Sequence, residues 1–141
     1  MTETPSFYAT PDEWRAWLET TPSVPAWCTK AAQLAMYVNW SAVVGPWRGV
    51  RRDTMLMSKN WMNQCWTWDH AFNAIALSYR NPDLAWEQLM VPFDYIDEFG
   101  SLPDSVGPVG DAWTAVKPPL HGWALGRMLR NRRLLTPARL R

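Results

Sequence analysis

Cysteine is scarce in this chain: Cys28 and Cys65 are the only two in 141 residues. That count excludes a disulfide scaffold and a cysteine-rich zinc module, and it suits a reducing compartment such as the cytoplasm. Histidine is equally scarce, with His70 and His121 alone, and no HxxxH or CxxC spacing occurs. No metal site and no cofactor is therefore expected. No apolar run approaches the roughly 18–20 residues that cross a bilayer, so no membrane contact is expected. The opening MTETPSFYATPDEW lacks a basic stretch followed by an apolar one, which argues against a secretory signal. There is no glycine-rich loop to cradle a phosphate. No segment alternates cleanly with β-branched residues, so a sheet is improbable and the chain reads as all-α.

Two things are abundant. Tryptophan occurs 11 times, several times its usual share in a globular chain. Charge is unevenly placed: all 13 acids and 7 of the bases lie in residues 1–111, a net of −6, whereas residues 112–141 hold 7 bases and no acid. An acidic body is thus followed by a basic tail. With 48% hydrophobic and 19% charged residues, the chain has enough apolar material for one folded core.

Residues 1–9 read as a loose lead-in. Thr10 and Glu13 form a capping-box pattern with Pro11 at the first helical position, which predicts a helix over 11–19 with Trp14, Trp17 and Leu18 on one face. CTKAAQLAMYVNWSAVV predicts a second helix over 28–44, stopped by Gly45 and Pro46. The loop 45–54 leads into the Trp-rich stretch 55–68, whose spacing fits neither period and reads as mostly irregular. A helix is expected over 69–80 with Asp69 near its start. Asn81 and Pro82 open another, running to about Phe99, with Pro92 as a kink and Gly100 as the residue after its end. The proline- and glycine-rich stretch 101–119 is a long loop, which in a compact domain is usually functional or disordered. A last helix is expected from Pro118 or Pro119 through Leu135, with Leu120, Trp123, Ala124, Met128 and Leu135 roughly on one side. The chain thus divides into an N-terminal helical segment (1–54), a motif-bearing region (55–126) and a basic tail (127–141).

The densest group of chemically useful side chains is KNWMNQCWTWDH, 59–70, which brings together tryptophans, amides, Asp69 and His70. An indole face stacks on the C–H side of a sugar ring, and carboxylate, amide and imidazole groups bind its hydroxyls, so this composition suits a carbohydrate pocket. The competing explanation is that the tryptophans fill a core and Asp69 caps a helix. A second group is acidic: Asp94, Asp97, Glu98, Asp104 and Asp111 fall within eighteen residues. Glycoside hydrolysis needs two carboxyl groups across the bond that breaks. Asp97 and Glu98 fit a solvated helix end, and Asp104 a turn. Asp111 is the most suggestive. Cys65 carries no nucleophile signature and reads as a buried thiol. The basic tail could bind nucleic acid, but arginine and leucine at helical spacing more often form a solvated face, so a nucleic-acid partner is unlikely.

Three stretches together resemble the catalytic domain of glycoside hydrolase family 63 and its relatives, the processing α-glucosidases and the mannosylglycerate and glucosylglycerate hydrolases. They are KNWMNQCWTWDHAFNAIAL (59–77), DLAWEQLMVPFDYIDEFGSLPDS (83–105) and VKPPLHGWAL (116–125), in matching order and spacing. The resemblance implies helical hairpins of an (α/α)₆ toroid and an inverting hydrolase. In such an enzyme one carboxylic acid protonates the leaving oxygen and a glutamate about 6.5–9.5 Å away activates water. It gives Trp66, Trp68 and Asp69 a place in the sugar pocket, with Trp61, His70 and Lys117 beside them as substrate-binding residues. It gives the acid role to Asp111, the one carboxylate between the LPDS-like and KPP-like stretches.

A six-hairpin toroid takes several hundred residues, and no glutamate follows Glu98. The expectation is therefore an incomplete toroid: the N-terminal part of an α-glycosidase catalytic domain, inactive alone because the general base is missing. Two alternatives stand beside it. One is a split enzyme completed by a second chain, and the other is a Trp-rich carbohydrate-binding module. A few hairpins cut from a toroid would leave apolar faces exposed, so an isolated chain of this kind should be marginally stable or should associate.

Overall fold

A computed structural model describes residues 10–58, 60–79, 81–115, 117–130 and 136–139. The expected capping box starts α1 (Pro11–Glu19): the Glu13 amide donates to Thr10 Oγ1 at 3.2 Å, and the Thr10 amide donates to Glu13 Oε2 at 2.8 Å. Trp17 is buried, with Trp14 and Leu18 packed beside the same cluster. After a 3₁₀ turn over Ala26–Cys28, α2 (Thr29–Ala42) meets α1 through Trp14, whose ring lies 5.1 Å from Trp40 and edge-on at 5.7 Å to Tyr37.

Helix α2 stops two residues before the expected end. Val43 and Val44 instead form β1, antiparallel to β2 (Thr54–Met55), with Val43 opposite Met55 and Val44 opposite Thr54. β-Branched residues favour the extended backbone, and both valines are fully buried there. A second ladder joins β3 (Cys65–Trp66) to β4 (Ser105–Val106). The sheet judged improbable is thus present as two small antiparallel ladders within a mostly helical chain. Each strand has two residues, too few for an alternating pattern to register in the sequence. The stretch 55–68 is otherwise irregular, as expected. Its turn is closed by bonds from the Met57 amide to Gln64 O (3.1 Å) and from the Ser58 amide to Met62 O (2.9 Å).

Helix α3 (Thr67–Leu77) begins two residues earlier than expected, directly off β3. Asn81 caps α4 (Pro82–Met90), its Oδ1 accepting from the Leu84 amide, and the short connection packs α4 back on α3. Ala71, Ala74 and Ala85 are fully buried, which suits close approach of the two helices. Pro92 divides the expected long helix: α4 ends at Met90 and a 3₁₀ turn covers Val91–Tyr95. Gly100, at φ +83°, closes a turn from Asp97 to Ser101 instead of ending a helix that reaches Phe99. Asp97 holds that turn by accepting from the amides of Phe99 and Ser101.

The long loop 101–119 is tied down at its centre. The Asp104 amide donates to Ala112 O at 2.7 Å, and the Ala112 amide donates to Ser105 O at 2.9 Å. Helix α5 (His121–Met128) starts after the two prolines, with Ala124 and Met128 buried, Leu120 packed on the core and Trp123 exposed. The helix ends at Met128, and Leu129 and Arg130 form a turn, short of the expected run to Leu135; residues 131–135 lie outside the described residues, as does the lead-in 1–9. In the tail, Arg139 pairs with Asp83 at 2.5 Å and lies over the Trp86 ring, so one tail cation returns to the acidic body.

The main core draws on every helix, from Trp17 of α1 and Met36 of α2 to Leu84 of α4 and Met128 of α5. A smaller cluster of Val44, Leu56, Cys65, Val91 and Val106 lies where the ladders meet the 3₁₀ turn. Gln88 joins the two regions. Its fully buried amide accepts from the Met55 N–H at 2.8 Å and donates to Asp53 O at 2.9 Å, so the edge of β2 carries no unpaired group at those positions. Arg52 adds a charged clamp, forked on Asp94 and reaching Glu87 at 3.0 Å.

Candidate functional site

The first turn of α3 is where the three motif-bearing stretches meet. Strand β3 delivers Trp66 to that turn, and β4 holds β3 from the LPDS side. The Thr67 amide donates to Asp104 O at 3.0 Å, and its hydroxyl donates to Pro103 O. From the third stretch, His121 Nε2 donates to Thr67 O at 3.1 Å, and Lys117 Nζ reaches Asp104 Oδ1 at 2.8 Å. The Lys117 and Asp104 side chains are mostly buried, so this pair is a fixed joint between loop and helix.

Beside this joint lies a cleft of about 220 Å³, walled by Asn39, Met57, Trp66, Asp69, Phe72 and Asn73. Its volume falls below the roughly 300–1,000 Å³ of drug-sized ligand sites and suits a single small ring. Trp66 supplies a half-buried indole, and Asp69 and two amides supply polar contacts. The Asp69 carboxyl titrates above its ordinary value, chiefly because burial disfavours the charge. Its backbone hydrogen bond and the Lys117 cation oppose that shift, and the Asp104 charge adds to it.

His70 lines the floor of the cleft and is almost fully buried, with both ring nitrogens bonded to the scaffold. Its Nδ1–H donates to Trp66 O at 3.2 Å, and its Nε2 accepts from the Thr54 hydroxyl at 3.0 Å. Burial pushes its pKa down to about 4, so the ring is neutral. Its bond to Trp66 O fixes the backbone that carries the Trp66 ring. Lys117 likewise spends its charge on Asp104. Trp68 is partly exposed and edge-on to Phe72, with its indole hydrogen-bonded to the Asp69 carboxylate, whereas Trp61 is 81% exposed and is not part of the cleft lining.

Asp111 is exposed and lines a different concavity, with Arg48, Arg51, Tyr95 and Pro108. The structure brings Trp66 and Asp69 together with His70 beneath them, and it does not bring Asp111 to that cleft. Of the other acids, Asp94 is occupied by Arg52 and Asp97 by its own turn. A wider hollow of about 500 Å³ is lined by Arg52, Asp53, Asp83 and Glu87, with no aromatic wall. Arg52 pairs with Glu87 there, and Asp83 pairs with Arg139. Burial raises the Cys65 thiol to about 11, which leaves it a packing residue, as expected. Among the described residues, no three His, Cys, Asp or Glu side chains gather into a metal-sized cluster.

Sequence reasoning missed Asn39 and Asn73. Each sits in an otherwise apolar helical stretch, LAMYVNW and AFNAIAL, and a lone amide there was the available signal. Compared with known proteins, the chain matches no protein-family model and no curated protein.

Proposed function

We propose that this chain binds the terminal ring of a glycoside in the Trp66–Asp69 cleft, and that it forms the sugar-holding part of an inverting α-glycosidase without hydrolysing by itself. The observation that carries the reading is the convergence of the three family-63-like stretches on one turn of α3. Trp66 offers an apolar face, Asp69 accepts from hydroxyls, and Asn39 and Asn73 supply donors and acceptors around the ring. On this reading α3, α4 and α5 are helices of a toroid, and the two free thiols fit the cytoplasm.

Inverting hydrolysis needs an acid and a base on opposite faces of the sugar. The cleft holds the Asp69 carboxylate alone, and Asp111, to which the resemblance gives the acid role, faces another concavity. A second chain supplying the missing carboxylate is the alternative reading. It is favoured by the apolar surface on α2, where Leu34, Tyr37 and Val38 are all more than half exposed.

The test is calorimetric titration of the purified chain with glucose and mannose, alongside a nitrophenyl α-glucoside assay. Saturable sugar binding, weakened at least about ten-fold by Asp69→Asn and with no turnover, is the expected result. Turnover that disappears in Asp111→Asn would overturn the inactive reading, and no sugar binding would overturn the whole proposal.

A further inference from the structure

The aromatic wall of the cleft continues outside it. Phe72, on the cleft rim and 47% exposed, meets Trp123 of α5 with ring centroids 5.9 Å apart and planes at 66°. Trp123 is itself 52% exposed. Two glycines stand on either side of it in α5, Gly122 immediately before and Gly126 three residues on. Glycine inside a helix is a weaker helix former than alanine, so its presence there calls for a reason. The usual reasons do not apply: neither glycine has positive φ, and a Cβ on either would meet nothing within 4 Å. No described neighbour packs against them. The bare backbone at Gly126, one turn from Trp123, leaves open the position from which a side chain would start.

We propose that Phe72 and Trp123 form a second subsite, which takes the ring following the one held by Trp66 and Asp69. The ligand class is then a disaccharide or longer glycoside. This rests on the sugar reading of the cleft. The cleft has room for one ring, and Phe72 borders both the cleft and the exposed aromatic pair. A second ring leaving the cleft at Phe72 reaches Trp123, where its C–H face stacks on an indole. The outer surface is aromatic and the inner one polar, so orientation is set inside and length is read outside.

The experiment is calorimetric titration with glucose and with maltose on the wild-type chain and two variants, with sedimentation velocity on each. Maltose should bind at least about ten-fold more tightly than glucose. Trp123→Ala should bring maltose down to the affinity of glucose. Gly126→Gln, which adds a side chain into open space one turn from Trp123 and is a better helix former, should do the same in a chain at least as stable. Equal affinities for the two sugars, or a maltose preference that survives both variants, would overturn the second subsite while leaving the cleft reading intact. A change in sedimentation caused by Trp123→Ala with no change in maltose binding would assign the strip to protein association and overturn it as well. No binding of either sugar would overturn both readings.

Discussion

His70 Nε2 accepts a hydrogen bond from the Thr54 hydroxyl, which requires a neutral ring, and burial enforces that state. Unfolded, an imidazole takes up a proton near pH 6.5; folded, His70 does so only near 4. Between those values the unfolded chain binds the extra proton, so the contribution is complete above about pH 6.5 and is lost as pH falls toward 4. It amounts to about 3 kcal/mol. His121 is shifted in the same direction, again by burial. Urea midpoints at pH 7.5 and 4.5 should therefore fall further for the wild type than for His70→Gln, and parallel curves would contradict this account. Asp69 has the opposite sign, because its raised pKa means the folded protein disfavours the charged carboxylate. Asp69→Asn should melt at or above the wild-type temperature at pH 7 while losing sugar affinity. A lower melting temperature would show that the charge stabilises the fold.

At the scale of elements, Asn81 is the start signal of α4, and Asn81→Ala should cost about 1 kcal/mol in chemical denaturation. Gly107 tests a different constraint. A Cβ there would come within 2.9 Å of Gln64 Cγ, so Gly107→Ala should loosen the β3–β4 ladder and destabilise the chain, whereas Gly122→Ala on open α5 should not. The helix starts were legible because capping is local: Thr10 with Glu13, and Asn81 with Pro82, each carry their signal within four residues. The strands were not, because Cys65–Trp66 and Val43–Val44 become extended by pairing with distant partners. Gly100 misled because a positive-φ glycine serves a four-residue turn as well as a helix end. The cleft was half legible. Trp66 and Asp69 stand out in their own segment, but Asn39 joins them only because α2 packs nearby, which no local pattern records.

For the molecule as a whole, the exposed apolar side chains matter most. Trp27 is 85% exposed, and Leu34 and Val38 lie about two and three turns further along the same helical region. Chains with such faces associate. Sedimentation should show mass rising with concentration in the micromolar range, and Leu34→Lys with Trp27→Gln should restore the monomer at positions outside the cleft lining. A concentration-independent monomer with a sharp melt would oppose this. The joint on the first turn of α3 also bears on how the chain folds. Its hydrogen bonds connect residues 36 and 54 positions apart, from Thr67 to Pro103 and from His121 to Thr67. Contacts of that span form late, after local pairs such as α3 with α4 have collapsed. Loss of the Thr67 hydroxyl should therefore accelerate unfolding and leave the folding rate nearly unchanged. On a ribosome, the helical pair could form early, whereas the cleft would wait until His121 had emerged.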